Sequence, residues 1–124
     1  MPCNKIILNG ASMCDINQAK DIFKKAYTAN EQILGEIKDA YLYGSYARGD
    51  FNDESDVDII LFVPLSQEEI SEYRKEISKI SSRLSLEHDV TVSVMVEPVD
   101  QLVRYAEILP FYQNIIREGI KYAG

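Results

Sequence analysis

The stretch GSYARGD at residues 44–50, followed by SDVD at residues 55–58 and the apolar run IILFV at residues 59–63, decides the fold of this chain. The five apolar residues predict a strand covered on both faces, because a half-solvated strand would alternate polar and apolar residues. Asp56 and Asp58 stand at the entrance of that strand, and their i, i+2 spacing in an extended chain puts both carboxylates on one face. The sequence therefore predicts a glycine turn, two aligned acids and a buried strand close together.

The two aligned carboxylates suggest a metal site. Like charges so close repel each other, and a divalent cation removes that penalty. Mg²⁺ binds hard oxygen ligands, usually one or two carboxylates together with waters and substrate phosphates. Gly44 allows a sharp turn that approaches a ligand closely, and Ser45 offers a hydroxyl and an amide to phosphate oxygens. Together these residues predict phosphoryl-type transfer, whereas the alternative is an ordinary turn beside two solvated aspartates.

The spacing of these residues resembles the signature of the DNA polymerase beta-like nucleotidyltransferases, in which a Gly-Ser pair is followed, after ten residues, by Asp-x-Asp. The residues of the motif are most similar to those of the minimal, stand-alone bacterial and archaeal members of this family. The resemblance implies Mg²⁺-dependent transfer of a nucleoside monophosphate from a nucleoside triphosphate, with release of pyrophosphate. It implies that Gly44 and Ser45 hold the triphosphate and that Asp56 and Asp58 are the catalytic, metal-binding carboxylates. ATP is the expected donor, although no motif in the chain identifies the base.

A third acid usually comes from a neighbouring strand in this family, and residues 88–96 are where we look for it. Valines alternate there with mostly polar residues, which is typical of a strand with one apolar face. If this strand lies beside the first two carboxylates, Asp89 is the third catalytic and metal-binding acid. The alternatives are that Asp89 is only a residue of the loop before the strand, or that Glu97 at the far end of the strand is the third acid. Many family members carry the acid inside the strand, where this chain has Thr91 and Ser93.

Other polar and aromatic residues near the motif have two interpretations each. Arg48 could bind a phosphate through its guanidinium, or pair with an aspartate of the following loop. His88 is the only histidine, and a lone histidine before a strand is more typical of a structural role than of catalysis. Tyr43 and Tyr46 flank the turn, where they could stack on a base or simply pack in the core.

Length and charge limit the number of domains and the class of partner that this chain can have. A chain of 124 residues suits one nucleotidyltransferase domain over residues 1–124. The net charge of −7 and the lack of a Lys/Arg cluster argue against a long nucleic acid, which needs a basic face. A protein or a small molecule is the expected acceptor. Cys3 and Cys14 fit neither a disulfide framework nor a metal spacing, so we expect reduced thiols. The sequence shows no apolar run long enough to span a membrane or to form the core of a signal peptide, so a cytoplasmic location is expected.

Hydrophobic periodicity and capping signals predict an α/β (α+β) domain, and the resemblance adds a small mixed sheet backed by helices, as in the nucleotidyltransferase (polymerase beta-like) fold. Pro64 should close the buried strand, and Ser66 with Glu69 forms a capping box. Residues up to about 12 are expected to form a short strand or a loose arm. One or two helices are expected over residues 15–37, with Asp15 as the candidate cap and Asn30 or Gly35 as candidate interruptions. The other expected elements are a strand over 38–43, one helix from 66 to about 84, a strand over 88–96, and helices over 99–109 and 111–118 that Pro110 separates.

Larger relatives carry a further helical domain that binds the acceptor, and we expect no such domain within these 124 residues. The resemblance therefore implies that another surface holds the acceptor, either in a homodimer or on a helical partner. Minimal members are often paired as antitoxins with a HEPN-type ribonuclease toxin. The alternative to an active enzyme is thus an antitoxin-like binding partner of such a toxin, with or without catalysis. A nucleotide sensor that binds without transfer is a third possibility.

Overall fold

The computed structural model describes residues 5–8 and 11–123. The elements in chain order are β1 (Lys5–Leu8), β2 (Ala11–Cys14), α1 (Ile16–Leu34), β3 (Asp39–Tyr43), α2 (Ser45–Arg48), β4 (Val57–Val63), α3 (Gln67–Ser71), α4 (Arg74–His88), β5 (Val92–Pro98), α5 (Val99–Tyr105), α6 (Pro110–Glu118) and β6 (Ile120–Lys121). None of the helices in this described part is long and apolar enough to cross a membrane.

The main sheet has four strands in the order β5-β4-β3-β6, and β1 pairs with β2 as a separate antiparallel hairpin. β4 and β5 are parallel, whereas β3 is antiparallel to both β4 and β6. A parallel pair needs a long crossover, which α3 and α4 supply. The small mixed sheet with helices confirms the predicted α/β (α+β) fold class.

Helices cover both faces of the sheet, which explains why β4 is an unbroken apolar run. One face packs against α1, α3 and α4, and the other packs against α5 and α6. Ile59 and Leu61 point into the first core, whereas Ile60 and Phe62 point into the second. All four side chains are fully buried. The prediction of a strand covered on both faces is therefore confirmed.

The first helix is continuous and is capped at both ends. Asp15 accepts a hydrogen bond from the backbone N–H of Gln18 at 2.8 Å, and the Gln18 side chain accepts one from the N–H of Asp15 at 2.8 Å, which completes a capping box. Gly35 ends the helix with φ at +83°, a conformation that favours glycine. Asn30, the other predicted interruption, is buried inside the helix and donates to the carbonyl of Ala26.

Several predicted boundaries were wrong. The single helix expected from residue 66 onward is two helices, because the chain is irregular at Tyr73, between α3 and α4. His88 and Asp89 belong to the end of α4 rather than to the following strand, since Asp89 caps the helix in a left-handed conformation with φ at +51°. Pro110 begins α6, as proline often does at the first helical position, and does not merely interrupt a helix.

The N-terminal segment was expected to be a strand or an arm, and the part of it that the structure describes, residues 5–8 and 11–14, forms the antiparallel pair of strands β1 and β2. Cys3 lies outside the described residues, so the expectation of reduced thiols stays a prediction. At the other end of the chain, the short strand β6 follows Gly119 and pairs with Tyr41 and Leu42 of β3. No periodicity or turn signal predicted this strand, and its pairing carries α6 to the end of β3.

His88 lies in the core, with only 2% of its side chain exposed. Its Nε2 lies 3.2 Å from Nζ of Lys25, and its Nδ1 has no hydrogen-bond partner among the described residues. Burial lowers the pKa of His88 below its usual 6.5, and the charge of Lys25 lowers it further, while Glu87 and Asp21 act in the opposite direction. These contacts favour the neutral imidazole and agree with the structural interpretation.

The depressed pKa of His88 predicts a loss of stability in mild acid. The unfolded chain takes up the proton at about 6.5, before the folded chain does, so stability is complete above pH 6.5 and falls as the pH drops below it. His88→Gln should show a smaller fall. Urea denaturation of both proteins on either side of pH 6.5 measures the difference. Equal pH dependence in the two proteins would contradict this account.

Candidate active site

The glycine turn and the first strand residues lie against each other at one end of the sheet. Gly44 follows β3 directly and has φ at +76° and ψ at −154°. A Cβ atom added at Gly44 would stand 2.5 Å from Oδ2 of Asp58, closer than real side chains approach one another. Only glycine therefore lets this turn pass so close to the carboxylate. The predicted turn and the predicted acid are brought together.

The register of the sheet fixes what surrounds Asp58. Tyr43 is its partner on β3, and Ser93 is its partner on β5. Residues that pair directly across strands share a face, so these three side chains lie on the side of the sheet that α5 and α6 cover. Asp56 precedes the strand by one residue, and the N–H of Val57 between the two acids donates to the carbonyl of Thr91 at 2.8 Å. This bond ties the entrance of β4 to the start of β5.

Asp58 is half-buried and Asp56 is exposed. Burial raises the pKa of the Asp58 carboxyl above its usual 3.8, the charge of Asp56 raises it further, and Arg48 lowers it. The raised pKa means that two negative charges in this position are unfavourable in the chain alone. Two neighbouring carboxylates whose charges are unfavourable without a cation are a donor set that fits a hard divalent cation.

Ser45 begins the one-turn helix α2, and Arg48 ends it. The first intrahelical bond runs from the N–H of Arg48 to the carbonyl of Gly44, at 3.1 Å. The amides that precede this bond are directed toward the N-terminal end of the helix, an orientation that favours an anion. The Arg48 guanidinium lies 3.4 Å from Asp50 and also influences Asp58. The pairing of Arg48 with an aspartate of the following loop is therefore confirmed, and its binding to phosphate stays a prediction.

The described residues contain no group of three His, Cys, Asp or Glu side chains placed to share a metal ion. Asp89 is exposed at the C-terminal cap of α4, and it is not brought into a three-acid group with Asp56 and Asp58. Glu97 pairs with Phe62, four residues beyond the Asp58–Ser93 pair and thus roughly 13 Å along the strand. It accepts a hydrogen bond from Gln67. The role of Asp89 as a third ligand stays a prediction.

The two tyrosines beside the turn differ in their environment. Tyr46 is buried and stacks on Phe51 with ring centroids 4.4 Å apart, so it packs in the core. Tyr43 is half-buried and its hydroxyl donates to the sulfur of Met95 at 3.3 Å. Burial, followed by the charge of Asp58, raises the pKa of Tyr43 to about 12, so its hydroxyl keeps its proton at neutral pH.

Sequence reasoning missed the contribution of α6 to this end of the sheet. Phe111 contacts the ring of Tyr43 edge-on, with centroids 5.7 Å apart. Asn114 and Glu118 follow on the same helix and line a small pocket with Gly44. Phe111 stood on a predicted helix, but no signal in the sequence placed that helix at the glycine turn, because the strand that brings α6 here is two residues long.

The raised pKa of Asp58 predicts how stability depends on pH in the metal-free protein. The unfolded chain ionises at about 3.8, and the folded chain ionises only at a higher pH, so stability is lost as the pH rises through that interval. Asp58→Asn cannot ionise and should gain stability relative to the native chain over the same interval. Urea denaturation in EDTA, above and below pH 3.8, measures this difference. A difference that stays constant with pH would contradict the prediction.

Comparison with known families and proteins agrees with this geometry. The model of a nucleotidyltransferase domain matches residues 17–122. A Methanocaldococcus jannaschii protein provisionally named a protein adenylyltransferase is 28% identical over 104 residues, which cover 84% of this chain and 96% of that protein. A second protein of the same organism, with the same provisional name, is 43% identical over 58 residues, which cover 44% of this chain and 54% of its own length.

Solved structures share the fold at lower identity. A mutant of the toxin-antitoxin complex MntA-HpeT matches with a TM-score of 0.53 and 20% identity, covering 82% of this chain and 71% of the matched chain. A nucleotidyltransferase-like protein of Sulfolobus solfataricus matches with a TM-score of 0.51 and 18% identity, covering 86% of this chain and 78% of that one. At these identities the likeness establishes the fold alone.

Proposed function

This chain belongs to the nucleotidyltransferase family, and from that premise we propose that it transfers a nucleoside monophosphate from a nucleoside triphosphate to a protein, with a divalent cation. The observation that carries the proposal is the contact between the glycine turn and Asp58, 2.5 Å from where a Gly44 side chain would begin. A turn that only glycine can make at this position brings the backbone at the start of α2 next to the Asp58 carboxylate, so groups that favour an anion and a group that binds a cation are neighbours.

Some residues of the site position the triphosphate, and others bind the cation that neutralises its charge. Gly44, Ser45 and the first amides of α2 hold the triphosphate, and Arg48 adds a positive charge beside it. Asp56 and Asp58 would hold Mg²⁺, which would supply charge stabilisation to the phosphates when bound. The acceptor oxygen attacks the α-phosphorus, the bond between the α-phosphorus and the bridging oxygen breaks, and pyrophosphate leaves with that oxygen. The acceptor's proton passes to a base or to solvent.

Asp89 is proposed as the third carboxylate on the strength of its position just before β5. Its exposed position on a helix cap means that it would have to turn toward the other two acids when a cation binds. We expect Asp89→Asn to weaken Mg²⁺-dependent nucleotide binding at least about tenfold, the scale of losses at groups that support a metal. Unchanged binding would remove Asp89 from the site and leave two protein carboxylates.

ATP and a protein acceptor are proposed because the similar Methanocaldococcus jannaschii proteins carry the provisional name of protein adenylyltransferases. The net charge of −7 supports a protein over a long nucleic acid. We expect calorimetric titration of the purified chain to detect micromolar binding of ATP with Mg²⁺ and weaker binding in EDTA. The Asp56→Asn/Asp58→Asn double variant should lose the metal-dependent part. Absence of binding for every nucleoside triphosphate would sink the proposal.

A second candidate function is that of an antitoxin-like partner of a helical toxin, such as a HEPN-type ribonuclease. It is supported by the fold shared with a protein of a toxin-antitoxin complex. It is also supported by apolar side chains exposed on or beside α5 and α6, namely Val103, Ile108, Leu109, Phe111 and Ile116. Partner binding that survives Asp56→Asn/Asp58→Asn would favour this role, whereas a homodimer that covers the same side chains would argue against it.

A further inference from the structure

A pocket of about 240 Å³ opens directly beside the glycine turn. Gly44 and Arg48 line it together with Phe111, Asn114 and Glu118 of α6. Pockets that enclose a whole drug-sized ligand begin at about 300 Å³. This pocket is smaller, so it suits a single ring system better than a complete nucleotide. It shares Gly44 with the contact to Asp58, which places it next to the proposed triphosphate.

Phe111 is held as a platform although it faces solvent. Its side chain is 43% exposed, yet its ring contacts Tyr43 with centroids 5.7 Å apart and Tyr112 with centroids 5.5 Å apart. Both contacts are edge-on, so neither neighbour stacks on the Phe111 ring. An exposed aromatic ring that is fixed by its neighbours loses little entropy when a planar ligand stacks on it.

Polar groups on the same helix face could read the edge of such a ligand. Asn114 and Glu118 lie three and seven residues after Phe111, so the three side chains form one stripe of α6. The Asn114 amide can both donate and accept, and an ionised Glu118 only accepts. Arg117 donates to Asn114 at 2.7 Å and to Glu118 at 3.2 Å, and it is 69% exposed, so it can move aside.

We infer that this pocket is the base subsite, in which Phe111 stacks on the adenine of the donor nucleotide while Asn114 and Glu118 face its exocyclic amine. Adenine presents a donor and an acceptor side by side, which is the pattern that an asparagine amide pairs with. The inference rests on the proposed nucleotidyl transfer, because the triphosphate must lie at Gly44 for the base to reach α6.

Titration with two probes separates the base from the phosphates. Mg²⁺-ATP should contact the turn and the pocket, whereas Mg²⁺-tripolyphosphate should contact the turn alone. Phe111→Leu keeps an apolar side chain against Tyr43 but removes the ring face. It should weaken ATP binding about 5- to 150-fold, the range for losing one stacked base, and leave tripolyphosphate binding unchanged. Phe111→Tyr should restore ATP binding.

Ile116→Ala is the matched control, since Ile116 is 45% exposed on the same helix and does not line the pocket. It should bind both probes as the native chain does. Native binding of ATP by Phe111→Leu would overturn the base subsite while leaving the proposed function intact. If the native chain binds neither probe, the proposed function fails, and the base subsite fails with it.

Discussion

Replacement of Asp58 by asparagine is expected to lower nucleotidyl transfer by at least about 10³-fold, a loss of roughly 4 kcal/mol of transition-state stabilisation. Asparagine has the same shape but no negative charge, so the half-buried position is kept while the proposed cation loses a ligand. Because burial and Asp56 raise the pKa of Asp58, the same change should leave the metal-free protein at least as stable as the native chain at neutral pH. Pyrophosphate release and urea denaturation measure the two effects.

If Asp58→Asn lost both activity and stability, unfolding would explain the loss of transfer, and the role of the carboxylate in metal binding would not be supported. Asp50→Asn is the control for charge alone: Asp50 is exposed, lies 3.4 Å from Arg48 and does not stand on the sheet. It should change transfer little. Full activity in Asp58→Asn would contradict the role given to this carboxylate.

Replacement of Gly44 by alanine is expected to have the second large effect. The new Cβ would stand 2.5 Å from Oδ2 of Asp58, so either the turn or the carboxylate must move. A displacement of about 1 Å at a reacting centre can cost roughly 10²-fold in rate. The positive φ adds about 1–3 kcal/mol of backbone strain, which should lower the free energy of unfolding. Thermal or urea denaturation and a transfer assay measure both losses.

Gly35 offers a matched control for this substitution. It also has a positive φ, +83° against +76° at Gly44, but nothing lies within 4 Å of a Cβ added there. Gly35→Ala should therefore lose stability through backbone strain alone and retain transfer. If the two alanine variants lose transfer equally, backbone strain rather than the contact with Asp58 would be the cause.

Local chemistry in the sequence predicted the parts of the fold that neighbouring residues decide. Asp15 and Ser66 are capping residues whose partners lie three positions along the chain, and both caps are present. The apolar run of β4 implied covered faces, and the valine alternation placed Val92 and Val94 on the core side of β5. Such features need no knowledge of distant contacts, because periodicity and hydrogen bonding within one element determine them.

Features that depend on distant pairing were not predictable. The position of α6 beside Gly44 follows from the pairing of Ile120 and Lys121 with β3, and two residues carry no periodic signal. The end of α4 was placed too early because Asp89 stops the helix in a left-handed conformation, which aspartate adopts less often than glycine does. The pocket at Phe111 could therefore not be predicted from the sequence, although the glycine turn and both acids could.

The central claim is that this site moves a nucleoside monophosphate, and parallel reactions with ATP labelled at the α- or the γ-phosphate test it most directly. The purified chain, Mg²⁺ and a cell extract as the source of acceptors would be used, with the Asp56→Asn/Asp58→Asn variant alongside. We predict that the α-label becomes attached to protein, that the γ-label leaves as pyrophosphate in equal amount, and that both require Mg²⁺ and the native carboxylates. Transfer of the γ-label to protein, or ATP binding without any α-label transfer, would contradict the claim.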